Sequence, residues 1–235
     1  MAVRKGDEKK NEILTVAERL FCMKGYADTS IQDILDILHT SKGGFYHHFP
    51  SKDAVLKAIC EQRALKAAER CDIALTEVSD PLARVNLVLQ MMLPLQREEL
   101  SFIGMLLPTL DQSECAAVRA GYQDALSAAF CPLLNAEIRQ AVPAGTLHPV
   151  IADAAPQVLL LVNHAWYAAA LYVLRCCRGE ERYEPAGVLP LLEGARRCTE
   201  VLLEAPYGSI SLIRLQEWDE VAQQLLNRYA LQDRK

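Results

Sequence analysis

The chain has 235 residues, a net charge of −5, 51% hydrophobic and 6% aromatic residues, a composition that excludes a disordered or fibrous protein and leaves room for a real core without disulfides or metal. The longest apolar runs, such as Ala165–Leu174, stop short of the about 18 residues of a membrane span and meet Arg175. The charged start Arg4-Lys5-Gly6-Asp7-Glu8 lacks the apolar centre of a secretory signal, so the expectation is a cytoplasmic protein without a membrane partner.

The periodic segments carry the helical repeat, and no alternating run bounded by turn residues reads as a strand. The expected fold class is all-α. Ile13, Leu14, Ala17, Leu20 and Phe21 form one stripe of a first helix over Asp7–Lys24, stopped by Gly25. Thr29 or Ser30 caps a second helix with Ile31, Ile34, Leu35 and Leu38 inward and Gln32 or Asp33 placed for the reciprocal capping bond. A third helix runs from Ser41 to Phe49, where Pro50 disfavours the α conformation in the residue before it. Ser51 caps a fourth, reaching about Val78, with Val55, Leu56, Ile59, Ala64, Ala67 and Ala68 inward. Asp80-Pro81 opens a fifth through Arg97, bent at Pro94. Further helical patterns cover Phe102–Thr109, Glu114–Ala141, Ala154–Arg178, Pro185–Glu204 and Leu212–Leu231, giving about ten helices.

Residues 29–52 form a helix-turn-helix, the shape that seats a short helix in the major groove of a DNA duplex. The second of its helices and its flanks carry hydroxyls at Thr29, Thr40, Ser41 and Tyr46, positive charge at Lys42 and Lys52, and donors at His47 and His48. Gly43 and Gly44 let backbone approach base edges, at a cost of about 1 kcal/mol each relative to Ala in a helix. Phe45 and Phe49, four apart, are expected inward, anchoring a helix too short to stand alone. Ser51 and Lys52 lie at the start of the fourth helix, whose free N–H groups attract a phosphate. Charge agrees with this division: residues 1–70 hold 12 Lys+Arg against 10 Asp+Glu, the remaining residues 13 against 20, and apart from Lys235 every lysine lies at or before Lys66.

The stretches Thr29-Ser30-Ile31-Gln32-Asp33-Ile34 and Ser41-Lys42-Gly43-Gly44-Phe45-Tyr46-His47-His48-Phe49-Pro50-Ser51-Lys52 resemble the TetR family of bacterial transcriptional regulators over about the first 60 residues. The resemblance implies an N-terminal DNA-binding domain (1–52), a connecting helix (53–78) and a helical effector-binding and dimerisation domain (79–235). It implies that Thr29, Thr40, Ser41, Tyr46 and Lys52 meet phosphates, while Lys42, Gly43, Gly44, His47 and His48 approach bases or neighbouring phosphates. Two positions depart from the family pattern: His39 stands where the turn usually has Gly, in a conformation with positive φ, and Gly44 stands where Thr, Ser or Ala is common.

The same resemblance implies a homodimer built on Ala154–Arg178 and Pro185–Glu204, with Ala165, Ala168, Ala169 and Ala170 allowing close approach and Val158, Leu161, Leu171, Val188, Leu192, Val201 and Leu202 supplying apolar area. Two recognition helices then meet a palindromic operator. An apolar small-molecule effector is expected among Met91, Met92, Phe102, Met105, Tyr122, His164, Trp166, Tyr167 and Tyr172, with His164 the polar handle. The eight cysteines, Cys22, Cys60, Cys71, Cys115, Cys131, Cys176, Cys177 and Cys198, contain no C-x-x-C and read as buried hydrophobes; no metal or cofactor is expected. The leading reading is a ligand-responsive repressor. Beside it stand a thiol-switched regulator using Cys176-Cys177 or Cys22, and an all-α enzyme around His164 or His148, for which no spaced base, orienting acid or phosphate loop is present; no enzyme is expected.

Overall fold

A computed structural model describes residues 5–93, 99–110, 116–213 and 215–232. These form helices α1 (Lys5–Lys24), α2 (Ile31–Leu38), α3 (Lys42–Tyr46), α4 (Lys52–Leu75), α5 (Pro81–Met91), α6 (Leu100–Leu106), α7 (Ala116–Ala141), α8 (Ala155–Cys177), α9 (Leu189–Leu203) and α10 (Leu215–Gln232), with no strand among the described residues. Short 3₁₀ turns extend α6 at Leu107–Thr109 and precede α9 at Pro185–Val188. The fifth helix ends at Met91 rather than Arg97. The expected bend at Pro94 and the seventh helix's start at Glu114 and Cys115 lie outside the described residues.

Helix starts follow the capping chemistry of the chain. Ser30, Ser41, Ser51 and Asp80 each accept a backbone N–H from three residues on, at Asp33, Gly44, Ala54 and Ala83. Pro81 occupies the first turn of α5, where a missing N–H costs nothing.

Two clusters of buried side chains share the chain. The first gathers Ile13, Leu14, Ala17 and Phe21 of α1, Ile34 and Leu35 of α2, Phe45, Phe49 and the opening half of α4; Phe102, Met105 and Leu106 of α6 complete it. The second runs through α4 from Ala64 onward and through α5, α7, α8, α9 and α10. Helix α4 therefore has one end in each core. Helix α6, by its period of 3.6, gives Phe102, Met105 and Leu106 to the first and Ile103 with Leu107 to the second. Sequence alone assigns Phe102 and Met105 to the C-terminal body as effector contacts; they instead pack beneath the N-terminal helices.

Buried charges tie helices across these cores. Arg63 of α4 donates to Glu18 of α1 at 2.5 Å and to Glu99 beside α6, with its guanidinium 4.3 Å above the Phe102 ring. Arg84 of α5 pairs with Glu137 of α7 through Nε and Nη2 and donates from Nη1 to the Leu75 and Val78 carbonyls, closing the end of α4. Glu200 of α9 accepts from Arg196, Arg197 and the Gly208 N–H, and so holds the segment leading to α10.

Helix α8 is uncharged from Ala155 to Leu174 and, by length and composition, is long and apolar enough to cross a membrane, contrary to the expectation from shorter apolar runs; 56% of its most apolar window is buried against other helices. Such a helix, apolar on most sides, also suits the centre of a bundle. Removing one half of a buried ion pair leaves its partner uncompensated. Arg84→Ala is accordingly expected to lower the unfolding free energy by about 3–5 kcal/mol in urea denaturation, and Glu137→Gln by less, since the amide still accepts from Arg84.

Candidate nucleic-acid interface

The α2–turn–α3 unit is set by local chemistry. Ser30 and Asp33 close the capping box: the Ser30 N–H donates to Asp33 Oδ2 at 2.7 Å and the Asp33 N–H to Ser30 Oγ at 3.1 Å. The Ser30 N–H, then its hydroxyl, then Lys24 hold the Asp33 carboxyl at about 2, below its ordinary 3.8. The stabilisation is therefore present above pH 3.8 and fades as pH falls toward 2.

His39 ends α2 in the left-handed region, φ 47° and ψ 43°, where the turn needs a positive φ and a Cβ is crowded. Ser41 then caps α3 by accepting the Gly44 N–H at 3.1 Å. A Cβ at Gly44 would stand 3.0 Å from Thr40 Oγ1, so the Thr, Ser or Ala that the resemblance places there needs Thr40 to give way.

Helix α3 proper is five residues, shorter than the expected Ser41–Phe49. Its hydrogen bonding nevertheless continues: His47 N–H donates to the Gly43 carbonyl, and the His48 and Phe49 N–H groups to that of Phe45, all at 2.9–3.0 Å. Phe45 and Phe49 are buried, as their spacing requires, with ring centroids 6.3 Å apart, and the Lys10 ammonium lies 5.9 Å from the Phe49 ring centroid. The opposite side is open. Ser41, Lys42, Gly43, Tyr46 and His47 are exposed, Tyr46 to 50%, while Thr40, Gly44 and His48 are half-buried at its edges. Lys42 makes no ion pair among the described residues.

Two of the residues expected at phosphates have partners within the domain. Thr29 is buried, and its hydroxyl donates to the Gly25 carbonyl at 2.7 Å, so it serves the α1–α2 turn. Lys52 turns inward as well: its ammonium donates to the Tyr26, Ala27 and Thr29 carbonyls at 2.8, 3.4 and 2.9 Å and lies 4.4 Å from the Tyr26 ring centroid. Its three N–H donors are thereby committed to one turn of backbone.

Residues 13–59 match the model for bacterial regulatory proteins of the tetR family. Over these N-terminal helices the chain is similar to the TetR family. Among its relatives, the uncharacterized HTH-type transcriptional regulator YerO of Bacillus subtilis is 49% identical over 55 residues, 23% of this chain and 19% of that protein. The HTH-type transcriptional regulator EthR of Mycolicibacterium smegmatis is 34% identical over 77 residues, 32% and 36% of the two chains. The sequence matches thus span about a fifth to a third of those relatives' length. Fold likeness extends further. RolR in complex with resorcinol superposes with a TM-score of 0.57 at 17% identity over 94% of this chain and 95% of that one. FadR of Bacillus subtilis in complex with stearoyl-CoA gives 0.54 at 14% identity, over 84% and 99%.

The residues expected as effector contacts do not all meet in one space. Met91, Met92 and Tyr122 do border one space with Arg63, Arg70 and Glu99, but its volume is about 10 Å³, room for roughly one water. His164 is exposed; its neighbour Asn163 is the buried polar group, donating to Ser127 of α7 at 3.0 Å. Trp166 stacks edge-on against Trp218 at 5.8 Å, Tyr167 donates to the Leu110 carbonyl at 3.0 Å, and Tyr172 to that of Glu184 at 3.0 Å. On a helix, adjacent residues differ by 100°, so Asn163 against His164 is a question of phase that apolar neighbours on both sides obscure.

The α8–α9 surface also differs from expectation. Ala165, Ala169, Ala170, Val158, Val188 and Leu192 are buried within the chain, Ala168 and Leu171 are half-buried, and a groove of open apolar surface is formed by Leu160 (70% exposed), Val201 and Val150 beside Leu161 and Leu202.

These contacts are expected to separate in chemical denaturation. Lys52→Met lowers the unfolding free energy by about 1–3 kcal/mol by leaving three carbonyls without their cation, whereas His39→Gly raises it by about 1 kcal/mol by relieving the left-handed turn.

Proposed function

We propose that this chain is a ligand-responsive transcriptional repressor that acts in the cytoplasm as a homodimer on a palindromic DNA operator. The observation carrying the reading is helix α3, anchored by the buried Phe45 and Phe49, whose open side presents hydroxyls at Ser41 and Tyr46, the Lys42 ammonium, the bare backbone of Gly43 and the His47 ring. That set suits a duplex: hydroxyls and ammonium for phosphates, backbone without side chains for close approach to bases. Thr40, Gly44 and His48 flank it; Thr29 and Lys52 act within the domain.

Pairing is supported by the apolar groove between α8 and α9, about 550 Å³, lined by Val150, Leu160, Leu161, Val201 and Leu202. A second copy related by a two-fold axis covers such a surface and presents two α3 helices to one operator. Ligand response is supported by the resorcinol and stearoyl-CoA complexes of the structural neighbours and by the architecture, since α4 and α6 belong to both cores. A small molecule opening the closed space at Met91, Met92 and Tyr122 displaces α4, and with it the spacing of the paired α3 helices.

The thiol-switch reading has less support. Burial pushes the Cys22 and Cys176 thiols above their ordinary range and Cys177 to about 11, which keeps them protonated and poorly nucleophilic at neutral pH.

A gel-shift with DNA upstream of the chain's own coding region compares the wild type with Lys42→Ala and Tyr46→Ala. Each substitution is expected to weaken binding at least tenfold, and Lys42→Ala to reduce the slope of log affinity against log salt by about 1. Equal binding by all three overturns this interface. In sedimentation, Leu160→Glu is expected to yield monomers from a wild-type dimer, and an unchanged species overturns the pairing surface.

A further inference from the structure

At the junction of the two cores lies a cleft of about 460 Å³, within the size range of small-molecule sites. Phe21 and Tyr26 at the end of α1 form one wall, Gly104, Met105 and Pro108 of α6 and its extension another, and Arg228 of α10 the third. Arg228 reaches across the junction: its Nη2 donates at 2.7 Å to the carbonyl of Cys22, 206 residues earlier in the chain. That carbonyl is among the last of α1, which lack helical partners. The arginine lies along Gly104, where a Cβ would already stand 3.4 Å from its guanidinium nitrogen.

Arg228 has no acidic partner among the described residues. Of the other charges lining the cleft, Lys24 is paired with Asp33 at 3.0 Å, and Asp28 is exposed at the mouth. A guanidinium offers five N–H donors in a planar fork, and one carbonyl uses only part of it. Half-buried, the arginine borders a space whose lining mixes the apolar Phe21, Met105 and Pro108 with the polar Lys24, Asp28 and Thr109.

We propose that this cleft is a binding site for a small molecule carrying a carboxylate or equivalent oxyanion, its oxygens on Arg228 and its apolar part against Met105 and Pro108. The fork geometry matches such a group bidentately. The bound oxyanion competes with the Cys22 carbonyl for Arg228, and the ligand sits between α1 and α6, so binding loosens the N-terminal helices from the body. The site is separate from the space at Met91, Met92 and Tyr122.

The test is calorimetric titration of the full chain with benzoate, hexanoate and inorganic phosphate as probes. Saturable binding of at least one carboxylate is expected, weakened at least tenfold in Arg228→Gln and also in Gly104→Leu, which keeps the charge but crowds the guanidinium and the cleft beside it. Arg228→Lys retains charge without the fork and is expected to bind between these limits, which keeps the test decisive where the glutamine variant fails to fold. Competition by phosphate against the carboxylate supports an oxyanion anchor at Arg228. The absence of saturable binding by all three probes overturns the site, as does binding that both Arg228→Gln and Gly104→Leu leave unchanged. Binding is read without DNA, so this result stands apart from the gel-shift outcome.

Discussion

A helix of five residues does not persist in water, because nucleation costs more than so few hydrogen bonds return. Everything at the N-terminal end follows from how α3 is made to persist. Phe45 and Phe49 drop into a core walled by α1, α2 and α4 and floored by Phe102, Met105 and Leu106 of α6. Ser41 caps the helix start, and the N–H groups of His47, His48 and Phe49 extend its bonding by one turn. With those two rings fixed, the outward positions are fixed too, and a surface of hydroxyls, one ammonium and bare backbone has a single orientation to offer.

The core that holds α3 is not local. Its floor comes from α6, and α4 leaves it to become the spine of the second core. Any displacement of the body is thereby felt beneath the recognition helix through close-packed side chains, which shift between discrete arrangements rather than deform smoothly. The ionic contacts lie along the same route: Arg63 joins α1, α4 and Glu99 beside α6, and Arg228 joins α10 to the end of α1. Family resemblance covers residues 13–59, while the contacts that connect those residues to the body come from helices far outside that span.

Several polar residues that look like ligand contacts serve the backbone instead. Lys52 donates to three carbonyls of the α1–α2 turn, and the Thr29 hydroxyl to a fourth. Glu200 likewise gathers two arginines and two backbone N–H groups around the segment before α10. A cation or hydroxyl near a turn has two outlets, solvent and backbone, and residue type does not choose between them. The proposed interface is consequently narrower than the motif, resting on Ser41, Lys42, Gly43, Tyr46 and His47.

What depends on neighbours within a turn or two was legible in the sequence. The all-α class, the helix-turn-helix, the serine and aspartate caps, a reciprocal capping bond from Gln32 or Asp33, which the structure gives to Asp33, the inward pair Phe45 and Phe49 and the positive φ of His39 all arise from interactions between residues at most four or five positions apart. Tertiary structure decided the rest: that Lys52 folds back onto residues 23–26 positions earlier, that Phe102 and Met105 belong to the first core, that Asn163 rather than His164 points inward, and that Arg228 crosses the chain to Cys22. Those contacts join segments that no periodic pattern links. Which of two adjacent polar residues is buried, or which cation meets a carbonyl, is settled only when the helices pack.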